Sequence, residues 1–323
     1  MSKTSKLWLL IVSVLAAVAT LTTPAAGQEL PRNDRPIIDM HMHALGPLPR
    51  TDSGEIAPRP CLPHSWCEGA PSVAQKDEDV MTMTLDPMRR HNIVLGFLSG
   101  QTDRVYEWVE AAPDRFIAAP LIYDPGEANL ANLSDAYQSG RLQGMGELAN
   151  QYRGIPANDP ALEPLFALAE KFDVPTLIHL QGIGGRSERF SISAGRPELL
   201  EDALKRHPKL RIYLENTGFP RLAETISLMF MYPQVYGDLS TATWIIPRKA
   251  FYNYLKGLMD AGFGKRLMFG SDRSKFPELI GESIEAIESA PFLTEEEKRD
   301  IFYNNAARFL RLSKETIAKH HGQ

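Results

Sequence analysis

The stretch Ile37-Ile38-Asp39-Met40-His41-Met42-His43 decides how this chain is read. A short β-branched run ends in two histidines spaced by one residue. Successive strand side chains point to opposite faces, so His41 and His43 share a face while Met42 points away. That spacing lets two imidazoles reach one metal ion from one strand end. Two histidines at the start of a loop would give the same pattern, so the rest of the chain has to decide.

The first residues read as a targeting segment. Lys3 and Lys6 precede a mostly apolar run over 7–19, and Ala25, Ala26 and Gly27 follow as small residues. This is the layout of a secretory signal peptide over 1–27. An uncleaved anchor is the rival reading, but the run is short for a spanning helix. The expectation is an exported protein, periplasmic or secreted, with no membrane association after cleavage.

Cleavage would leave about 296 of the 323 residues, enough for two ordinary domains or one large α/β barrel. The net charge of −5 becomes about −7 without Lys3 and Lys6. No basic run stands out, which excludes the usual electrostatic footprint of a nucleic-acid partner. The two cysteines, Cys61 and Cys67, lie in one Pro-rich loop. Export would allow a local disulfide there, with a metal pair through His64 as the alternative.

After His43 an irregular stretch over 44–79, rich in Pro, Gly, Ser and charge, reads as a long loop. Beyond it, apolar runs that suit buried parallel strands alternate with helical patterns. Counting 37–40, the strands are expected at 93–98, 116–122, 144–148, 174–180, 210–214, 235–239 and 266–269. Helices are expected near 83–91, 102–112, 127–139, 160–172, 197–206, 219–230 and 249–261, with two more near 279–289 and 294–309. Eight βα units fit a TIM-type (β/α)8 barrel spanning about 36–312, followed by a polar tail over 313–323. An open doubly wound sheet would need a phosphate loop or crevice motif. Gly182-Ile183-Gly184-Gly185 lacks that spacing and reads as a loop.

Barrel active sites lie at the C-terminal strand ends. Strand 1 ends in His41 and His43, strand 4 in Glu147, strand 5 in His179, strand 6 in Glu215-Asn216 and strand 8 in Ser271-Asp272. Imidazoles and carboxylates converging on one mouth have the composition of a zinc-type site, where an open position can activate water.

At this point the chain resembles the amidohydrolase superfamily, specifically the amidohydrolase-2 group related to aminocarboxymuconate-semialdehyde decarboxylase. The matching motifs are 37–43, Gly146-Glu147-Leu148, Val174-Pro175-Thr176-Leu177-Ile178-His179, Met268-Phe269-Gly270-Ser271-Asp272 and Tyr303-Asn304-Asn305-Ala306-Ala307-Arg308-Phe309. The resemblance implies that His41, His43, His179 and Asp272 hold one zinc ion, with Asp272 doubling as general base. It also implies that Glu147 could bridge a second ion. One departure stands out: Asn216 occupies the place where the family usually carries a strand-6 histidine. An amide cannot exchange a proton there, but it could donate a hydrogen bond to a substrate oxyanion. Strand alternation would put Glu215 on the opposite face from Asn216, as a structural residue or one that supports the ligands from behind.

Other residues have plainer readings. Arg186, Trp244 and Arg248 follow strands 5 and 7 and are candidates to hold a small-molecule substrate. Glu147 could instead pair with Arg153, and Asp272 could instead cap a helix. His91 and His207 suit helix C-terminal ends. His320 and His321 fall in a tail expected to be unstructured, and Asn132-Leu133-Ser134 is a sequon by pattern only. The expected activity is hydrolysis of an amide, ester or lactone by metal-activated water. The alternatives are a non-oxidative decarboxylase and a non-catalytic binding protein. A homo-oligomer is left open.

Overall fold

Eight parallel strands are built from the apolar runs, most within a residue or two of the run's length; the first is four residues longer and the fifth four shorter than expected. The computed structural model describes residues 35–45, 77–183, 187–272 and 279–323. The leader, the two cysteines, most of the 44–79 loop and Arg186 therefore lie outside the described residues.

The element order is β1 (Ile37–Ala44), α1 (Asp77–Arg90), β2 (Ile93–Gly100), α2 (Thr102–Ala111), β3 (Phe116–Pro120), α3 (Leu130–Gln138), β4 (Met145–Leu148), α4 (Glu163–Phe172), β5 (Thr176–Ile178), α5 (Glu201–Arg206), β6 (Ile212–Leu214), α6 (Leu222–Met231), β7 (Val235–Asp238), α7 (Ala242–Ile245), α8 (Arg248–Asp260) and β8 (Leu267–Met268). Four more helices follow: α9 (Leu279–Glu288), α10 (Glu295–Arg299), α11 (Asn305–Leu310) and α12 (Lys314–His320). The helix expected over 294–309 is thus divided, with a π turn over Asp300–Asn304 between α10 and α11. Its start is as expected: Thr294 and Glu297 form a reciprocal capping box.

The strands pair in sequence order as β1-β2-β3 and β4-β5-β6-β7-β8. Backbone hydrogen bonds cross both seams between these sheets. The Gly144 amide donates to the Ala118 carbonyl, and Ile122 pairs with Leu148. At the other seam the Met40 amide donates to Phe269 O and the Asp272 amide to His41 O. The fold is the TIM-type (β/α)8 barrel.

The interior is filled by Ile38, Met40, Leu95, Phe97, Ile117, Leu177, Tyr213 and Met268. Phe97 and Tyr213 meet edge to face with centroids 5.7 Å apart. A second cluster lines the outer strand faces beneath the helices. Burial of each such side chain contributes about 1.5–3 kcal/mol. Tyr303, Ala306 and Phe309 join the interior cluster from the chain's last turns. The tail is structured as well: α12 is anchored by a hydrogen bond between Tyr303 Oη and His320 Nδ1. Among the described residues no helix is long and apolar enough to cross a membrane.

One irregularity in β1 positions the histidines. Ile38 and Met40 point into the barrel, whereas Met42 belongs to the outer cluster. The β1–β2 pairing shifts register between Asp39 and Met42. Such a bulge re-aims side chains, and it turns His41 and His43 into the mouth.

Candidate metal centre

Four side chains from three strand ends converge around His41 and His43. His41 Nε2 is 3.8 Å from Glu147 Oε2 and 3.8 Å from Asp272 Oδ1. His43 Nε2 is 3.5 Å from Glu147 Oε2 and 3.0 Å from Asp272 Oδ1. Ligand atoms about 2.0–2.2 Å from a tetrahedral ion are about 3.3–3.6 Å from one another. The four histidine–carboxylate separations, 3.0–3.8 Å, bracket that range, so these donors could close around a divalent ion with small shifts. His41 Nε2 is also buried without a hydrogen-bond partner. An imidazole nitrogen left that way costs free energy unless something binds it.

Each ligand candidate is oriented from behind. His41 Nδ1–H donates to Asp238 Oδ2 at 2.9 Å. Asp238 Oδ1 in turn accepts from the Asn216 amide, the Ser240 amide and Ser240 Oγ. His43 Nδ1 is 2.8 Å from Ser99 Oγ. Thr241 Oγ1 donates to Asp272 Oδ2 at 2.5 Å. Asp39 Oδ1 accepts the amides of His41 and Ser271, tying β1 to the end of β8. Burial pushes the Asp39 carboxyl up to about 6, against the pull of its bonds to Ser271 and His41.

Glu147 is delivered by Gly146, whose φ is +95° and where a Cβ would collide with the Leu177 carbonyl. Burial would raise the Glu147 carboxyl, but the nearness of the His41, His43 and His179 rings holds it below the usual range. Burial likewise opposes ionisation of Asp272, and His41, His43 and Thr241 outweigh it, keeping that carboxylate ionised. Burial alone would keep His41 neutral; Asp272 and Asp238 push its pKa well above the ordinary value.

His179 lies one step further along. Its Nε2 is 3.5 Å from Glu215 Oε2, and its Nδ1 donates to Gln151 Oε1 at 2.9 Å. Burial lowers its pKa to about 4, so the ring is neutral at neutral pH. Potential ligand atoms of Glu147, His179 and Glu215 lie within 4.8 Å of one another, as do those of His41, Glu215 and Asp272. Tyr152 and Phe190 meet the His179 ring edge-on, with Tyr123 against Tyr152. Burial, with Glu147, Asp272 and Glu215 nearby, pushes the Tyr123 phenol up to about 12.

Several expectations change here. Glu215 does not face away from the site. β6 ends at Leu214, and Asn216 and Thr217 take left-handed φ values of 47° and 48°, so strand alternation stops before Glu215. Its carboxyl is buried beside His179, with Oε2 lacking a hydrogen bond. Burial first, then the Glu147 carboxylate, raises its pKa well above the ordinary value. Asn216 is not a free donor for an oxyanion. Its Nδ2 donates to Gln181 Oε1 at 2.6 Å and to Thr241 Oγ1 at 3.2 Å, and its Oδ1 accepts the Ala242 amide at 2.6 Å. Glu147 pairs with histidines rather than with Arg153. Arg248 lies on α8 and pairs with Glu285 at 2.7 Å, held by the protein rather than by the mouth. Trp244 Nε1 donates to Ser271 O at 2.9 Å, which puts the indole beside the strand that ends in Asp272.

Asp238, Gln151, Gln181 and the aromatic side chains were not singled out from sequence. Asp238 ends its apolar strand just as Asp272 does, so the same positional signal could have found it. The glutamines carry no such signal.

A profile of the amidohydrolase family matches residues 38–312. None of the curated proteins compared matches the chain. Among solved structures, an uncharacterised TIM-barrel protein from Bordetella bronchiseptica is 18% identical, with a TM-score of 0.62 over 89% of this chain and 100% of its own. A probable 2-pyrone-4,6-dicarboxylic acid hydrolase from Acinetobacter baumannii is 15% identical, with a TM-score of 0.57 over 85% and 99%. A 2,6-dihydroxybenzoate decarboxylase from Rhizobium is 15% identical, with a TM-score of 0.55 over 86% and 98%. At these identities the likeness is one of fold.

Proposed function

The chain belongs to the amidohydrolase family of metal-dependent enzymes, and from that premise we propose that it hydrolyses an amide, ester or lactone of a small molecule. The observation that carries this reading is the placement of Asp272. Its side chain is 16% exposed, against 6% for Glu147 and 3% for Glu215, so it is the carboxylate of the cluster that meets the mouth. It is held ionised by His41 and His43.

His41, His43 and Glu147 form one group of potential ligands, and Asp272 approaches both histidines, so these four would hold the ion, with His179 beyond Glu147. Imidazole with carboxylate suits zinc. A divalent cation supplies Lewis acidity there, polarising a substrate carbonyl and acidifying water. Asp272 accepts the proton of the attacking water and passes it to the leaving group. Tyr123, Tyr152 and Phe190 shield one side of the reacting centre. With the signal layout at 1–27, we take the enzyme to be exported.

A second reading is a carbon–carbon lyase releasing carbon dioxide. Glu215 favours it, because burial and the Glu147 carboxylate make its carboxyl harder to ionise, which suits a group that hands a proton to a carbanion. The test is a panel of esters, lactones, amides and aromatic carboxylates, followed by pH-stat for esters and lactones, by ammonia or amine release for amides, and by carbon dioxide release. Acid production abolished by Asp272→Asn supports hydrolysis. Carbon dioxide release with no release of acid, ammonia or amine contradicts it.

A further inference from the structure

Glu147, His179 and Glu215 have the composition and spacing of a second cation position. Among the described residues no lysine or arginine is buried to balance these carboxylates. The space between His179 and Glu215 is nevertheless taken. Gln181 Nε2 is 3.1 Å from His179 Nε2 and 2.5 Å from Glu215 Oε1.

Two chains of hydrogen bonds, each anchored on backbone groups that cannot reverse, fix which way that amide points. On one side, Gln151 Nε2 donates to the carbonyls of Gln181 (2.7 Å) and Ser191 (3.0 Å). Gln151 Oε1 is then the atom facing His179 Nδ1, so the ring proton is on Nδ1 and Nε2 carries a lone pair. On the other side, the Ala242 N–H donates to Asn216 Oδ1, which turns Asn216 Nδ2 onto Gln181 Oε1. Gln181 must then present its NH2 group to His179 and Glu215. The two chains meet without conflict, and Gln151, Gln181, Asn216, His179 and Glu215 are all buried.

We propose that Gln181, aimed by Asn216, is a neutral plug in a second cation position and restricts the centre to one ion per chain. The inference rests on the metal-dependent reading above. The two protons of the amide satisfy the His179 lone pair and one Glu215 oxygen, as a cation would. They leave His41, His43, Glu147 and Asp272 as the set that binds metal. Asn216 and Gln181 are positioning residues in this scheme, acting through His179 and Glu215.

The test is metal stoichiometry, read by elemental analysis after zinc loading and removal of free metal, with manganese loading and electron paramagnetic resonance as a second readout. Asn216→Asp keeps the acceptor for Ala242 N–H but loses the donor to Gln181 Oε1. Gln181 then turns its oxygen toward His179 and Glu215, where three acceptors face one another and a cation relieves them. Gln181→Glu puts a carboxylate there directly. We expect one ion in the wild type, and two in each variant with a spin-coupled manganese signal. Two ions in the wild type overturn the plug and keep the metal reading, whether or not the variants fold. Variants that remain at one ion also overturn it. No ion in any of the three overturns the metal reading itself, and the plug with it.

Discussion

His41 and Asp238, 197 residues apart, share a 2.9 Å hydrogen bond that fixes the imidazole tautomer, leaving Nε2 to face Glu147 and Asp272. A metal-ligating histidine depends on such a partner for its orientation and basicity. Asp238→Asn keeps the shape and removes the charge. We expect metal affinity to fall about 10–100-fold, measured by competition with a chelator. Unchanged affinity would remove Asp238 from the account.

Asp272→Asn is expected to retain the fold and lower kcat by about 10²–10⁴-fold, the usual range for a lost general base. Steady-state kinetics on the best substrate of the panel, with metal content measured alongside, separates lost chemistry from lost metal.

Glu215 gives a pH-dependent expectation in metal-free protein. Its folded-state pKa is raised above the ordinary 4.5, so the folded chain binds a proton that the unfolded chain has released. Stability contributed by this group is therefore full below about pH 4.5 and declines as pH rises through the raised value. Glu215→Gln, which has no charge to bury, should melt higher than wild type in chelator at pH 8. The difference should vanish toward pH 4.5. Thermal unfolding across that range checks it, and a variant that melts lower at pH 8 would contradict the assignment.

Tyr213 Oη donates to the Met40 carbonyl at 2.6 Å inside the barrel. Tyr213→Phe leaves that carbonyl without this donor and should cost about 1–3 kcal/mol in denaturant unfolding. A loss below that range would mean that the carbonyl finds another donor.

Arg248 is expected to be silent toward substrate. Its pair with Glu285 is half exposed, and such pairs contribute about 0–1 kcal/mol. Arg248→Ala should leave KM unchanged in steady-state assays; a clear rise would return Arg248 to the substrate site.

Much of this was legible in the sequence. Buried parallel strands leave apolar runs, and a barrel puts its chemistry where those runs end, so His41, His43, Glu147, His179 and Asp272 could be found by position. The turn after β6 could not. Nothing in Glu215-Asn216-Thr217 announces two consecutive left-handed residues, and without them alternation turns Glu215 away from the site. The grouping of ligands was hidden for a related reason. Whether Glu147 or His179 stands nearer the His41–His43 pair depends on a bulge in β1 and a glycine conformation at Gly146, both set by tertiary packing. Gln181 and Gln151 act through hydrogen-bond direction, which residue type does not reveal.

On the reading proposed above, His41, His43, Glu147 and Asp272 enclose one catalytic ion. Anomalous diffraction at the zinc edge from a zinc-loaded crystal tests it most directly. One strong peak is expected, bonded to His41 Nε2, His43 Nε2, Glu147 and Asp272. Absence of a peak among these four side chains would contradict it.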